Sequence, residues 1–473
     1  MKRTLLIAAL IVFAHSTAPA QQQDVVVVDP APQVDAIFSK WTTATPGCAV
    51  GVAAGRRPVL FKAYGMADLE HDVRNTPDTI FEAGSVAKQF TAMAVQLLAA
   101  DGKLSLDDPV RKYVPELPDY GKPLTIRHML SHTSGLRDWG SVAAIGGWPR
   151  TSREYTHAHV LDIVSRQKSL NFDPGSKWSY SNTGFNLSAI IVSRVSGMPF
   201  AEFSKQRIFA PLGMTRTSWR DDHTRIVKGR ATAYSEVNGE YRIEMPFENV
   251  HGNGGLLTTV RDLLTWNINL ASPKVGNAKL IAEMTTAGRF NDGTPLEYGL
   301  GFFVNDYRGV RNVYHSGSTA GYRAHLNRFP GAMISVAVLC NGSNGDATRS
   351  ANRVSDIFLG PRLKPAAPTT PNTPPAALNP PPSAEQLNAL SGEYWSDEAE
   401  TMLTAAVDQG ALVLKRRPDT VIRMTAIAPD KFRGSIGTVT FIRNASGAVE
   451  ALSVNQDRVW DLRFARQARA CCS

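Results

Sequence analysis

The stretch FEAGSVAKQFTAMAVQLLAADGKLSL, residues 81–106, decides how this chain is interpreted. Ser85 and Lys88 stand three positions apart, and residues i and i+3 share one face of a helix, so the amine can reach the hydroxyl. The apolar run that follows predicts a buried helix at residues 86–101. A lysine in apolar surroundings loses proton affinity and can act as a base, and a serine beside such a base is a nucleophile.

The same spacing recurs at Ser165 and Lys168, where the surrounding VLDIVSRQKSL carries charges. Ser85 instead follows a glycine and precedes a long apolar run, in which a charged Lys88 needs a specific partner. On this pattern alone, a serine that caps the helix N-terminus explains Ser85 equally well. The choice between nucleophile and cap depends on the other motifs.

A second element, from Tyr180 to Asn182, precedes another apolar stretch, predicted to be a helix at residues 183–196. A phenol beside a lysine ammonium can be held as a phenolate, because the positive charge lowers its pKa. Tyr180 would then take the serine proton and later give one to the leaving group. Asn182 offers an amide that binds a substrate carbonyl and orients Lys88. A loop tyrosine followed by a helix-capping asparagine is the alternative.

A third element, the triplet from His315 to Gly317, ends one strand-like run and precedes another. Gly317 lets a substrate backbone approach the strand edge. The backbone N–H groups of Ser318 and Ser85 are candidates for an oxyanion hole. His315 is a candidate hydrogen-bond donor to the substrate or to Tyr180, with an ordinary strand-end histidine as the alternative.

In this chain order, Ser-x-x-Lys, Tyr-x-Asn and a Lys/His-x-Gly triplet resemble the penicillin-recognising serine hydrolases. The closest branch contains class C β-lactamases, D-alanyl-D-alanine carboxypeptidases, D-aminopeptidases and related esterases. LLAADGKLSLDDPV, RHMLSHTSGL and GGLLTTVRDLLTW are similar to the same branch, and the resemblance covers residues 34–359. The resemblance implies that Ser85 is the acylated nucleophile and that Lys88 and Tyr180 form the base system. It also implies that Asn182 and His315 position the substrate and that the backbones of Ser85 and Ser318 form the oxyanion hole.

The chain departs from class C β-lactamases at His315, where those enzymes carry lysine. Lysine supplies a permanent positive charge near a substrate carboxylate, whereas histidine is mostly neutral at pH 7. The resemblance therefore implies an exported hydrolase of small D-residue peptides or amides, of D-Ala carboxypeptidase or D-aminopeptidase type, or of small esters. A class C-like β-lactamase and a non-catalytic envelope protein that binds peptidoglycan are the alternatives. Arg323 is either a carboxylate contact or a surface residue.

The first twenty residues combine two basic residues, a short apolar run and a small-residue end, which predicts a signal peptide cut near Ala20. That run is too short to span a membrane, and we find no other candidate transmembrane segment, so we expect a soluble periplasmic or secreted protein. Residues 361–383 carry nine of the 29 prolines, which predicts a stiff linker. It separates a hydrolase domain, residues 34–360, from a C-terminal domain, residues 384–468.

Strand-like runs lie at both ends of the first domain, with predicted helices between them, including those at residues 127–131 and 160–167. This order predicts an α+β fold, in which one antiparallel sheet built from both chain ends is flanked by helices and a helical subdomain. About eight short strands after residue 383 predict a small antiparallel β-barrel, similar to the lipocalin-like barrel that some relatives append. Its expected role is a stabilising appendage or, alternatively, a unit that binds a lipid or shapes the pocket.

A net charge of +9 predicts a basic surface, but no basic run is interleaved with aromatic residues, so nucleic-acid binding has no support. We expect a small-molecule or short-peptide substrate, and the sequence gives no indication of oligomeric state. No cofactor or metal is implied. His128 and His132 have the i, i+4 spacing of metal ligands, but no third ligand is evident, and we expect structural roles.

Two further expectations concern cysteines and aromatic residues. Cys48 and Cys340 sit on strand-like runs and are expected to be buried thiols, and Cys471 and Cys472 to form a frayed tail. The polar and aromatic stretch at residues 138–174 either walls the substrate pocket or is a surface excursion.

Overall fold

The computed structural model describes residues 29–366 and 377–468. The predicted signal peptide, Cys471, Cys472 and part of the proline-rich segment lie outside the described residues. Within those two ranges the α-helices are Ala31–Phe38, Lys88–Ala100, Ile126–Leu130, Trp139–Ile145, His157–Ser165, Asn182–Ser196, Phe200–Ser204, Ala210–Leu212, Val260–Ala271, Ala278–Thr285, Ala347–Leu359 and Ala384–Ala389.

A six-stranded antiparallel sheet forms the centre of the larger part of the chain. In chain order its strands are β1 (Cys48–Ala54), β2 (Arg57–Tyr64), β3 (Phe303–Tyr307), β4 (Val310–Thr319), β5 (Tyr322–Phe329) and β6 (Ile334–Cys340). Their spatial order is β3-β4-β5-β6-β1-β2, so strands from the two ends of this part meet at the β6–β1 pair. The predicted α+β fold, with one sheet built from both ends, is confirmed.

Alternate residues of the central strands face two different hydrophobic cores. Val50 and Val52 pack with the first and last helices of this part of the chain. Ala49 and Ala53 face the opposite core, which contains the helix Lys88–Ala100. Because β1 is covered on both faces, its sequence is apolar at every position rather than alternating.

Short strands hold the Ser85 segment in place. Phe81–Glu82 pairs with Leu256–Thr258, which also pairs with Ser218–Trp219, in a small three-stranded sheet. The backbone N–H of Ala83 donates to the Leu256 carbonyl at 2.8 Å. Ser85 therefore lies beside the loop that precedes residue 256. The remaining strand pairs of this part are Met66–Asp68 with Val73–Arg74 and Tyr234–Val237 with Glu240–Ile243.

The expectation of buried thiols at Cys48 and Cys340 is wrong, because the two residues form a disulfide bond. They are register partners on β1 and β6. Their separation of 292 residues gives no sign of this pairing in the sequence. The bond links the strands that come from the two ends of the sheet.

A nine-stranded antiparallel sheet forms a nearly closed barrel after residue 391. Its strands are Gly392–Ser396, Thr401–Asp408, Ala411–Arg416, Thr420–Arg423, Thr425–Ala428, Lys431–Gly434, Gly437–Arg443, Val449–Gln456 and Val459–Arg466. The two edge strands are separated only by Met424, so the strand-like run VIRMTAI forms two strands rather than one. This break explains nine strands where about eight are predicted, and the predicted antiparallel barrel is confirmed. We call the last two strands, with the turn at Asp457 and Arg458, the last barrel hairpin.

The barrel packs directly on the larger part of the chain. Val142 and Ile145, on the helix Trp139–Ile145, belong to the same hydrophobic cluster as the barrel interior. A buried ion pair joins Arg137 to Glu398 of the barrel at 3.0 Å. Residues 138–174 are therefore largely a platform for the barrel rather than a surface excursion. The domain boundaries at 34–360 and 384–468 stay a prediction. Among the described residues, no helix is long and apolar enough to cross a membrane.

Candidate active site

The turn that carries Ser85 approaches strand β4 backbone to backbone. Gly84 has φ +49°, and a 3₁₀ turn at Gly84–Ala87 runs straight into the helix Lys88–Ala100. A Cβ atom on Gly84 would lie 2.6 Å from the Ser318 nitrogen, and one on Gly317 would overlap the Ala83 carbonyl oxygen. Glycine at 317 thus admits the Ser85 turn, and the approach of a substrate backbone that the sequence suggests stays a prediction.

Replacing Gly317 by alanine should destabilise the fold by about 2 kcal/mol or more, because the added Cβ meets rigid backbone. Activity should fall too, since the Ser85 turn has to move away from Ser318. Gly331→Ala is the matched control, because a Cβ there meets nothing within 4 Å. Urea unfolding of both variants tests this. A Gly317→Ala protein as stable as Gly331→Ala contradicts the close approach.

Lys88 is fully buried and has three polar neighbours. Its Nζ lies 3.0 Å from Ser85 Oγ, 2.9 Å from Asn182 Oδ1 and 2.7 Å from the Asn253 carbonyl oxygen. Burial, and after it the nearby Arg458 guanidinium, hold the pKa of Lys88 well below its usual value. A neutral amine has two N–H donors and one lone pair. The two carbonyl oxygens can only accept from Nζ, so in the neutral form of the amine the lone pair faces the Ser85 hydroxyl.

Tyr180 lies over this group, with its ring centroid 4.8 Å from Lys88 Nζ. Burial raises the pKa of Tyr180, although a hydrogen bond with Ser85 and the Arg458 guanidinium act in the opposite direction. The phenol therefore stays protonated at neutral pH. The phenolate expected from the sequence is disfavoured, because burial raises the pKa of Tyr180 and lowers the pKa of Lys88, which weakens the positive charge beside the phenol.

Asn182 is placed by its own helix. It is the first residue of the helix Asn182–Ser196, and its backbone N–H donates to Asp138 Oδ2 at 2.7 Å. Its side-chain oxygen accepts from Lys88. Asn182 thus contacts Lys88 as an orienting residue would, its role stays a prediction, and Asp138, which lies in the predicted polar stretch, fixes the helix start.

His315 is buried on β4 with both ring nitrogens engaged. Nδ1 lies 2.6 Å from the Ser316 carbonyl oxygen and so carries the proton, while Nε2 accepts from the Tyr298 hydroxyl at 3.0 Å. Burial lowers the pKa of His315 to about 3, so the ring is neutral. In this arrangement the ring does not donate to Tyr180, and a contact with the substrate stays a prediction. His315 instead holds the end of β4 that leads to Ser318.

Four buried histidines predict acid lability. Burial lowers the pKa of His315 and His251 to about 3 and of His325 to about 4, and it depresses that of His132 strongly. The unfolded chain protonates these groups below their ordinary value of 6.5 and the folded chain does not. The free energy of unfolding should therefore fall as the pH drops from 6.5 towards 4. Each of these histidines contributes a decrease of about 1.4 kcal/mol per pH unit.

Urea unfolding at pH 7.5 and 5.5 measures this slope. His325→Gln should reduce the slope, because one buried titrating group is removed. His71→Gln, at an exposed position, is the control variant. Equal stabilities at the two pH values contradict the prediction.

The predicted site residues converge on one cleft of about 720 Å³. Ser85, Tyr180, Asn182, His315, Gly317 and Ser318 all line it, and Lys88 lies directly behind Ser85. Trp178 and Phe303 add an aromatic wall. Among the described lining residues, Arg150, Arg323 and Arg458 are basic and Asp346 alone is acidic.

Three residues that line the cleft were not predicted from the sequence. Arg458 comes from the last barrel hairpin, and Asn253 lies in the NGG turn before a stretch that the family resemblance includes. Arg150 lies in the predicted polar stretch and pairs with Glu248, with Nε 2.8 Å from Oε2. No sequence signal marks Arg458 as a site residue, because it comes from the barrel, far from the other site residues in the chain.

The histidine pair at i, i+4 has structural roles. His128 Nδ1 accepts from the Thr125 backbone in a capping box, and His132 Nδ1 accepts from the Ser181 N–H. The His132 ring lies 4.2 Å from the Tyr180 ring. In the described part of the chain, neither histidine belongs to a cluster of metal-ligating groups.

The fold and the arrangement of this cleft are typical of the β-lactamase family. Residues 33–358 match the family model described as Beta-lactamase, and the chain belongs to that family. The chain is 27% identical over 363 residues to a D-aminopeptidase of Gluconobacter oxydans. This alignment covers 77% of the chain and 65% of the relative. The chain thus spans just under two thirds of that relative.

Solved structures share the fold. The octameric penicillin-binding protein homologue of Pyrococcus abyssi aligns with a TM-score of 0.61 at 24% identity, over 92% of this chain and 100% of the other. A D-amino acid amidase of Ochrobactrum anthropi SV3 aligns with a TM-score of 0.61 at 22% identity, over 71% of this chain and 100% of the other. The first alignment extends over most of the chain, whereas the second leaves more than a quarter of it uncovered.

Proposed function

We propose that this protein is an exported serine hydrolase that cleaves amide bonds of small D-residue substrates, or small esters, through an acyl-enzyme on Ser85. One observation carries the proposal. Lys88 Nζ lies 3.0 Å from Ser85 Oγ and is also bonded to two carbonyl oxygens. This arrangement leaves a neutral amine one lone pair, directed at the serine hydroxyl.

In the first step, Lys88 takes the Ser85 proton while Oγ forms a bond to the substrate carbonyl carbon. The backbone N–H groups of Ser85 and Ser318 stabilise the resulting oxyanion. Tyr180 then donates its phenolic proton to the leaving nitrogen or oxygen as that bond breaks, and the Lys88 ammonium restores it. The neutral phenol suits this role, because only the protonated form can act as an acid.

In the second step, water attacks the acyl carbon and gives its proton to Lys88, and the Ser85 oxygen leaves and is reprotonated. Each group returns to its starting state, so water is the one co-reactant needed. Asn182 keeps the Lys88 amine in place through both steps, since it accepts from Nζ and its helix start is fixed by Asp138.

The substrate class is inferred from the relatives and the cleft. The printed names D-aminopeptidase and D-amino acid amidase support D-configured amides. The aromatic wall of Trp178 and Phe303 suits an apolar side chain. A neutral His315 offers no fixed charge near the triplet, which supports peptidase or esterase chemistry over efficient β-lactamase chemistry.

Two features support export. The first twenty residues have the pattern of a signal peptide. The Cys48–Cys340 disulfide is typical of proteins from oxidising compartments. The intact mass of the mature protein tests this, with a start near Gln21 expected and an uncleaved Met1 contradicting it.

The proposed activity is tested with D-alanyl and L-alanyl p-nitroanilides, p-nitrophenyl acetate and nitrocefin as substrates. We expect turnover of the D-anilide or the acetate, and a D-over-L preference for the anilides. Faster turnover of nitrocefin than of the other three would favour a β-lactamase. If none of the four substrates is turned over and the protein binds peptidoglycan fragments, the non-catalytic alternative is favoured.

A further inference from the structure

The turn of the last barrel hairpin reaches the candidate active site. Arg458 lines the cleft that contains Ser85, and its guanidinium carbon lies 4.6 Å from the Tyr180 ring centroid. Arg458 is 278 positions after Tyr180 in the chain, so only the docking of the barrel brings them together. The barrel therefore contributes a side chain to a cleft that is otherwise built by the larger part of the chain.

Hydrogen bonds anchor this turn on both sides. The Arg458 carbonyl accepts from the Asp138 N–H and the Asn171 amide, each at 3.2 Å. The Asp457 carbonyl accepts from Ser179 Oγ at 3.1 Å, next to Tyr180. An anchored backbone limits where the guanidinium can reach, and this limits the entropy lost when it binds a ligand.

The guanidinium itself is left without an anionic partner. Across residues 29–366 and 377–468, no carboxylate is within ion-pair distance of Arg458 and its guanidinium donates no hydrogen bond. The other two arginines of the cleft are engaged: Arg150 pairs with Glu248, and Arg323 donates to the carbonyls of Ala320 and Tyr322 at 2.7 Å. The expectation that Arg323 provides a carboxylate contact is thus less well supported than a role for Arg458.

We propose that Arg458 binds a free carboxylate on the leaving-group side of the substrate, so that the barrel selects short peptides ending in a free D-residue. A guanidinium offers paired N–H donors that match the two oxygens of a carboxylate. The leaving-group side follows from the contact with Tyr180, the proposed acid, so this inference rests on the proposed function. Cleavage then releases a free amino acid, which is carboxypeptidase-type activity.

A matched substrate pair isolates this contact. N-acetyl-D-alanyl-D-alanine and its C-terminal amide differ only in the carboxylate. We expect the wild-type protein to prefer the acid, and Arg458→Gln to raise KM for the acid about tenfold or more while KM for the amide is unchanged. Arg458→Lys should recover part of the loss. Arg423→Gln, an exposed barrel arginine outside the cleft, is the control and should change neither KM.

The comparison of the acid with the amide also separates a carboxylate contact at Arg458 from the effect of the Arg458 charge on the pKa of Lys88. Arg458 lowers the pKa of Lys88, so its loss moves the acid limb of the pH–rate profile to higher pH for both substrates alike. Only a carboxylate contact changes the ratio between them. An equal effect of Arg458→Gln on acid and amide, or a wild-type preference for the amide, overturns the inference while the proposed hydrolase stands. Absence of Ser85-dependent turnover on all esters, anilides and peptides overturns both.

Discussion

Ser85→Ala is expected to lower kcat for the D-anilide and for p-nitrophenyl acetate by at least about a thousandfold. The reason is that Ser85 supplies the hydroxyl that lies 3.0 Å from Lys88 Nζ. The free energy of unfolding should change little, because Ser85 is only partly buried and alanine is smaller. Steady-state kinetics with both substrates, together with urea unfolding, make the test.

The chain offers a matched control in its second Ser-x-x-Lys. Ser165 Oγ donates to the Asp162 carbonyl at 2.7 Å, and Lys168 pairs with Asp397 at 2.7 Å, so these two residues do not act on each other. Ser165→Ala should keep wild-type kinetics. Turnover that survives in Ser85→Ala, or is lost in Ser165→Ala, would contradict the assignment.

Lys88→Met is the second substitution with a large expected effect. It keeps the length and apolar stem of the side chain but removes the amine, so we expect kcat to fall by about a thousandfold or more. The free energy of unfolding should fall by about 1–3 kcal/mol, because the buried Asn182 Oδ1 and the Asn253 carbonyl lose their donor. Kinetics and urea unfolding of the same preparation distinguish lost catalysis from misfolding.

Lys88→Arg separates the role of a base from that of a cation. Arginine keeps a positive charge and cannot accept a proton at neutral pH, so this variant should be as inactive as Lys88→Met. The wild-type rate should decline as pH falls through the lowered pKa of Lys88, because protonation removes the lone pair. An active Lys88→Arg protein would contradict the base mechanism.

Strand-like runs at both ends of the first domain are enough to predict the sheet, and the order of the motifs, through the family resemblance, predicts the convergence of Ser85, Lys88, Tyr180 and Asn182. Local spacing works here because i, i+3 on a helix fixes the Ser85–Lys88 contact. The protonation states are not predictable in this way. They depend on full burial of Lys88 and on the Tyr298 contact of His315, which only the packed structure supplies.

Contacts between distant segments also lie beyond the sequence patterns. The reason for glycine at 317 is the backbone of Ala83, more than two hundred residues earlier. The Cys48–Cys340 bond depends on strand register. Arg458 looks like an ordinary turn residue until the barrel docks beside Tyr180. In each case the deciding partner is set by tertiary packing rather than by neighbours in sequence.

Covalent labelling tests the central claim most directly. The mature protein would be treated with an activated phosphonate, digested with trypsin and mapped by mass spectrometry. The account predicts one adduct, at Ser85, in the peptide NTPDTIFEAGSVAK that spans residues 75–88 and has no other serine. Labelling should be lost in Ser85→Ala and retained in Ser165→Ala. An adduct on another residue, or labelling that persists in Ser85→Ala, would contradict the account.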